Sequence, residues 1–335
     1  MRQPLISILI PFKNTSIYLN ECLQSIINQT YTNWELLIVD DNSTDNSYAI
    51  VKKFAEKDLR IKLFKNDGKG IIEALRLAFK MSKGSLVTRM DSDDIMVSNK
   101  LGVLSNNLIN SGKGHVAIGL IRYFSKNGVG NGYAKYETWL NNLTQEGSNY
   151  NDIYKECVIP SPCWMVYRSD FLACDAFHSN KYPEDYDLAF RFYQQGLKCI
   201  PCNNVLHFWR DYPVRASRTD KNYAQNHFLE IKLHYFLKLH HTPTRPLIVW
   251  GAGQKGKFVA NYLFKKNISF YWMCNNLKKI GKDIYQQRLL STQEFSKFDS
   301  PQTIITIANT EEQLEIKSQL KALYQQPMLD YFFFC

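Results

Sequence analysis

The sequence predicts an α/β protein in which helices cover mostly parallel sheets. Two observations carry this: apolar strand-like runs alternate with helical periodicity, and the alternation stops and restarts around a proline-bearing segment, Thr242-Pro243-Thr244-Arg245-Pro246. Ile6–Ile10 is the first strand, closed by the turn residues Pro11-Phe12-Lys13-Asn14, after which Leu19, Cys22, Leu23, Ile26 and Ile27 recur at helical spacing. Glu35–Val39 repeats the strand signal and stops at Asp40-Asp41-Asn42-Ser43-Thr44-Asp45, with a helix over Tyr48–Lys57 that Ser43 or Asp45 can cap. A third strand, Ile61–Phe64, leads through Asn66-Asp67-Gly68-Lys69-Gly70 to a helix over Ile71–Met81, and a fourth strand spans Ser85–Met90.

From Val97 to Asn151 the pattern loosens into connecting loops, a few strands and a helix around Leu101–Ile109. A second organised block covers Val158 to Arg218, and a basic, His-bearing helix over Asn222–His241 ends at the proline-bearing boundary. Beyond it, Leu247–Trp250 is a strand, Gly251 to Gly256 a glycine-rich turn, Lys257–Lys266 a helix and Ser269–Met273 a strand. Thr303–Ala308 and Tyr331–Phe334 complete the strands, with a helix over Glu311–Tyr324. The expected domains are therefore 1–241 and 247–335.

Composition narrows the class. A chain of 335 residues with 45% apolar and 21% charged side chains folds as two domains or one elaborated α/β domain. The net charge of +10 is spread without a run of five or more basic residues, which argues against a nucleic-acid stripe and leaves a phosphate-bearing substrate or an anionic membrane surface. Eight irregularly spaced cysteines and no cleavable signal pattern read as reduced thiols in the cytoplasm; Cys199 and Cys202 form a CxxC without a second pair at zinc-binding spacing. The opening run Leu5–Phe12 is too short to span a bilayer, and no transmembrane helix is expected.

Active residues of parallel sheets belong at the carboxyl ends of strands, which is where two acidic clusters fall. Asp91-Ser92-Asp93-Asp94 follows an apolar strand, so at least two carboxylates project into one crevice and repel unless a cation lies between them; such hard ligands suit Mg²⁺ or Mn²⁺. The same residues also fit a helix N-cap, since Asp94 precedes a helix-like stretch. Asp40-Asp41 can accept hydrogen bonds from a nucleotide base and ribose, or can serve a turn. Glu184-Asp185 opens an amphipathic helix after Tyr182-Pro183, a position that also suits capping.

Five segments together resemble family 2 glycosyltransferases, across roughly residues 3–218: Ile6 to Asn14, Ser25 to Tyr31, Val39 to Asp45, Asp91 to Asp94, and Glu184-Asp185-Tyr186-Asp187-Leu188. The resemblance implies a GT-A nucleotide-diphospho-sugar transferase fold. It implies that Pro11, Asp40 and Asp41 lie at the nucleotide, with Asp41 on the base, and that Asp91 and Asp93 form a DxD element holding ribose and a divalent metal, Asp93 being the first choice as ligand. It further implies Asp185 as general base and Glu184 as its positioner or the acceptor's. Trp209-Arg210 and Ser217-Arg218 resemble an aromatic-Arg element and downstream serine that close over the diphosphate, so Arg210 or Arg218 is expected to neutralise phosphate.

The expected activity is inverting transfer from a nucleotide-diphosphate sugar, a UDP-sugar in the first instance, to an acceptor hydroxyl on a glycan or lipid-linked acceptor in bacterial surface polysaccharide or lipopolysaccharide assembly. Peripheral association with the inner membrane face and self-association through the C-terminal module are compatible with it, and nucleic acid is not an expected partner. Rival readings are a catalytically silent nucleotide-sugar-binding scaffold and a sugar nucleotidylyltransferase; the latter needs a Gly-rich basic loop after the first strand, which Pro11-Phe12-Lys13-Asn14 is not. The turn Gly251-Ala252-Gly253-Gln254-Lys255-Gly256 fits a dinucleotide fingerprint, but Cys274-Asn275-Asn276 stands where the ribose-binding acid belongs, so the module reads as a degenerate Rossmann-like unit.

Overall fold

In the computed structural model, residues 3–223 and 225–335 are described, and they form two compact units. Unit 1 comprises residues up to Tyr150 together with Val158–Thr219; unit 2 comprises Asn151–Cys157 and Asp220–Cys335. The described elements of unit 1 are β1 (Ile6–Phe12), α1 (Ser16–Ile27), β2 (Trp34–Asp40), α2 (Ser47–Ala55), β3 (Ile61–Lys65), α3 (Ile71–Met81), β4 (Leu86–Arg89), β5 (Ile95–Met96), α4 (Lys100–Ser111), β6 (His115–Ile118), β7 (Leu120–Phe124), α5 (Asn131–Glu146), β8 (Trp164–Tyr167), α6 (Arg168–Ala173), α7 (Glu184–Gln194), β9 (Lys198–Ile200), β10 (Val205–Arg210) and α8 (Ala216–Thr219). Those of unit 2 are α9 (Gln225–Leu239), β11 (Leu247–Trp250), α10 (Gln254–Lys265), β12 (Tyr271–Cys274), β13 (Asp283–Ile284), β14 (Gln287–Ser291), β15 (Gln302–Ile305), α11 (Thr310–Ala322) and β16 (Tyr331–Phe333).

The main sheet of unit 1 runs β3-β2-β1-β4-β8-β6-β9, and β1 to β4 are parallel neighbours. Every residue of β1 and β2 is buried, which is why both read as continuous apolar runs rather than alternating ones. Their one charged side chain at the amino end, Glu35, is saturated: Ser7 Oγ and Lys62 Nζ donate to it at 2.8 and 2.7 Å, and Gly84 N donates at 3.1 Å. Gly84 has to be glycine there, because a Cβ would lie 2.6 Å from the Ser7 backbone nitrogen. Pro11 is tolerated in a central strand because the β4 ladder ends at Leu9, so its missing N–H breaks no bond on that side.

A second sheet, β5-β10-β7, stands beside it. The edge of β7 is closed by helix α5, an element the sequence pattern reads as loop. Asn141 both accepts from Ile121 N (3.0 Å) and donates to Ile121 O (2.8 Å), and Glu137 accepts from Tyr123 N at 2.6 Å. Polar residues thus face the sheet edge beside the buried Leu140, and they interrupt the apolar stripe by which a packed helix is read.

Unit 2 holds a sheet of order β13-β14-β12-β11-β15-β16, parallel from β14 through β16. Helix α9, which precedes the expected boundary at 242–246, falls with unit 2, where Phe236 meets Phe332 edge-to-face at 4.9 Å. The segment Asn151–Cys157 joins the same core through Tyr154, stacked on Phe334 at 5.3 Å. All eight cysteines are free thiols. Among the described residues no helix is long and apolar enough to cross a membrane.

Candidate active site

The carboxyl ends of β1, β2 and β4 are tied together by their loops. Asn14, in the left-handed region at φ 52°, accepts from Thr44 N at 2.8 Å and donates its own N–H to Ser43 Oγ at 3.1 Å. Thr15 N donates to Ser47 Oγ at 2.9 Å, and the Thr15 and Ser92 hydroxyls meet at 3.0 Å. Asp45 does not cap α2 through its own position; it accepts from Ser47 N and from Ser16 N, bridging two loops. Three strand ends therefore share one rim.

On that rim the two acids of β2 part ways. Asp40 accepts from Ser43 N at 3.0 Å and is a turn residue. Asp41 has Oδ1 occupied by Asn66 Nδ2 and Gly70 N, each at 2.8 Å, while Oδ2 faces the exposed Lys13 ammonium at 3.5 Å. One oxygen of Asp41 is fixed and the other meets only an exposed cation.

The turn after β4 separates its three acids by partner. Asp94, fully buried, has both oxygens engaged: Arg210 N donates at 2.8 Å and His207 Nε2 lies at 2.9 Å. Lys100 Nζ lies 3.2 Å from His207 Nδ1 and donates to Pro162 O at 2.6 Å. An ammonium has only donors, so the imidazole accepts at Nδ1 and donates from Nε2; the buried chain Lys100–His207–Asp94 is satisfied end to end. Burial, with the Lys100 charge beside it, holds the His207 pKa well below the usual imidazole range. Asp94 thus anchors the turn and is not available to a ligand.

Asp91 and Asp93 each keep one oxygen outside these bonds. Arg89 approaches Asp91 Oδ1 at 3.0 Å, and Tyr212 donates to Asp93 Oδ2 at 2.8 Å. Burial first, then the neighbouring Asp94 charge, push Asp93 up to about 7, the condition of a carboxylate short of positive charge. Two hard oxygens plus substrate phosphates match how Mg²⁺ or Mn²⁺ is held in nucleotide sites, so Asp91 Oδ2 and Asp93 Oδ1 fit such an ion. Among the described residues no cluster of three His, Cys, Asp or Glu side chains offers an all-protein cage.

Arg89 also connects this turn to the start of α7. Its Nη1 donates to Glu184 at 3.0 Å across 95 residues of sequence, with both side chains buried. The approach to α7 is held by Arg76, which donates to the carbonyls of Phe177 (2.7 Å) and His178 (2.6 Å), and a cis Tyr182-Pro183 bond then leads into Glu184. Asp185, half-buried, accepts from Tyr186 N at 2.8 Å. Burial and then the adjacent Glu184 charge push it up to about 7. Glu184 is bound to Arg89 and so fixes the geometry of this helix end.

The arginines differ from expectation in their engagement. Arg210 donates to Glu21 at 2.5 Å and to Asp93 O at 2.7 Å, and lies over the Tyr18 ring. Arg218 forks Asp211 with bonds of 2.9 Å. The Ser217 side chain lies outside the described residues. Arg215, which no motif marks, is buried beside Trp209, its guanidinium carbon 4.9 Å from the ring. Arg89, Lys100 and Arg215 are all buried basic residues, and in the first case the sequence signal was an arginine closing the fully buried strand LVTR.

Solved structures share the fold. TarS of S. aureus in complex with UDP-GlcNAc aligns with a TM-score of 0.54 at 18% identity, over 78% of this chain and 72% of that one. The mannosyltransferase PcManGT from Pyrobaculum calidifontis, in complex with GDP-Man and Mn²⁺, gives 0.51 at 17% identity, over 71% and 64%. The fold is that of GT-A glycosyltransferases. A family model, Glycosyl transferase family 2, matches residues 7–174, and the chain belongs to that family. The Escherichia coli UDP-Glc:alpha-D-GlcNAc-diphosphoundecaprenol beta-1,3-glucosyltransferase WfgD is 33% identical over 236 residues, 68% of this chain and 83% of that protein. Glycosyltransferase GlyG of Streptococcus pneumoniae serotype 4 is 41% identical over 101 residues, 30% of this chain and 34% of GlyG; an uncharacterized glycosyltransferase of Haemophilus influenzae is matched over 41% of its length, so the chain spans less than half of either.

Proposed function

We propose that this chain is an inverting glycosyltransferase that moves a sugar from a nucleoside-diphosphate donor, a UDP-sugar, to a hydroxyl of a glycan or lipid-linked acceptor in bacterial surface-polysaccharide assembly. The observation that carries the reading is the Arg89 bridge, by which one guanidinium joins Asp91 of the strand-end turn to Glu184 at the start of α7. The relation to WfgD over most of its length supports the donor and acceptor classes. Its place of work is the cytoplasm, at the inner face of the membrane.

In this reading Asp41, held by Asn66 and Gly70, turns its other oxygen to the base N–H, with Pro11 flanking the nucleotide. Asp91 and Asp93 would hold a divalent cation, which would supply Lewis-acid charge for the departing nucleoside diphosphate. Asp185 lies beside the Arg89-anchored Glu184 and accepts the acceptor's hydroxyl proton as that oxygen attacks the anomeric carbon from the face opposite the leaving group. A carboxylate with a pKa near 7 is well matched to that task at neutral pH.

A panel of nucleotide sugars with Mn²⁺, screened by thermal shift and then by mass-spectrometric detection of transfer or hydrolysis, tests the reading. Stabilisation by one donor together with inverted product is expected. Donor binding without turnover identifies a silent scaffold instead, and release of pyrophosphate from a nucleoside triphosphate identifies a nucleotidylyltransferase.

A further inference from the structure

Resting on that functional reading, we infer that Arg215 grips the donor's diphosphate and gives the chain a component of donor binding that needs no divalent ion. The other arginines at the acidic rim are committed to protein carboxylates: Arg89 to Asp91 and Glu184, Arg210 to Glu21, Arg218 to Asp211. Arg215 is only 8% exposed, yet among the described residues it forms no ion pair at or below 4.0 Å. Its guanidinium has five N–H donors in a planar fork, and the contacts it makes are with the Trp209 ring and the Tyr123 hydroxyl.

A buried cation with open donors is costly unless an anion completes it. Burial works against the charge of Arg215, but the carboxylates of Asp94, Asp93 and Asp91, with Tyr123, more than offset this and tighten its hold on its proton. Arg215 therefore stays charged within the field of the acids expected to hold the metal. Phosphate oxygens fit what is missing, since a guanidinium fork binds them through paired charge-assisted bonds. Arg215 and the Asp91–Asp93 pair then act on the same diphosphate from independent groups, one of them permanent and the other dependent on a captured ion.

Calorimetry of the full chain with uridine and with UDP, both in EDTA, tests this. The wild type is expected to bind UDP about tenfold to a hundredfold more tightly than uridine, as one or two charge-assisted bonds provide. In Arg215→Met the UDP affinity should fall to that of uridine, while uridine itself binds as before; Arg215→Lys should keep part of the preference. Equal wild-type binding of the two ligands in EDTA, or an undiminished preference in Arg215→Met, overturns the inference. Should both affinities fall together in the Met and the Lys variants alike, Arg215 is a structural residue only and the inference also fails. A wild type that binds neither ligand, with or without Mn²⁺, overturns the functional reading itself.

Discussion

Units 1 and 2 carry the same architectural device, a parallel sheet whose strand ends open towards helix starts, and they fill it differently. In unit 1 the ends of β2 and β4 carry Asp41, Asp91 and Asp93, each with one oxygen held by a protein donor, and the second oxygen of Asp41 faces the exposed Lys13. In unit 2 the corresponding ends are closed by neutral groups: Trp272 Nε1 donates to Gly251 O at 2.8 Å, and Thr306 Oγ1 donates to Trp250 O at 3.2 Å. Lys279 Nζ donates to Ala252 O at 2.7 Å, placing a cation on the glycine turn itself. The glycines there serve packing, since a Cβ on Gly256 would lie 2.0 Å from Gly251 O, and Gly251 sits at φ +124° with a Cβ position 2.5 Å from Thr306 Oγ1. The difference teaches that one strand-end plan can close on packed glycines in one unit and on acidic side chains in the other.

The sharpest way to break this comparison is Asp185→Asn. Loss of the base should lower kcat by about a hundredfold to ten-thousandfold while UDP affinity is kept, measured by steady-state transfer and calorimetry; unchanged kcat would remove Asp185 from the chemistry. Next in size is the pH dependence. Asp185 must be ionised to accept a proton and its pKa lies near 7, so kcat should fall about tenfold for each unit below that value and level off above it. A flat profile from pH 5 to 8 contradicts the assignment.

Smaller effects should separate the glycines of unit 2. Gly256→Ala forces a methyl against backbone and should destabilise unit 2 by about 1–3 kcal/mol in denaturant unfolding, with donor binding unaltered. Gly253→Ala meets no atom within 4 Å at an ordinary φ of −78°, so stability should stay within about 0.5 kcal/mol. A large loss at Gly253 would mean that open space beside the turn is used.

Much of this was legible in the chain. The runs at Glu35–Val39 and Ser85–Met90 read as buried strands, and the acids directly after them, Asp40-Asp41 and Asp91 to Asp94, were expected at the carboxyl edge. What stayed hidden depends on partners distant in sequence. Helix α5 packs Leu140, with Tyr133, Tyr136 and Trp139, against the core but gives Glu137 and Asn141 to the edge of β7, so its apolar stripe is interrupted by polar residues. Arg210, Arg215 and Arg218 are equally visible as letters, and only folding reveals that Glu21 and Asp211 occupy two of the three. Asp94 follows Asp93 directly, yet His207, 113 residues on, withdraws it from ligand duty.

In the proposed function, Asp91 and Asp93 gather a divalent cation and a diphosphate at one strand end. Titration of UDP into wild type and Asp93→Asn, each with Mn²⁺ and with EDTA, measures this directly. Mn²⁺ should tighten UDP binding to the wild type by at least about tenfold and leave the variant's affinity unaltered. An equal Mn²⁺ response in both proteins would contradict the account.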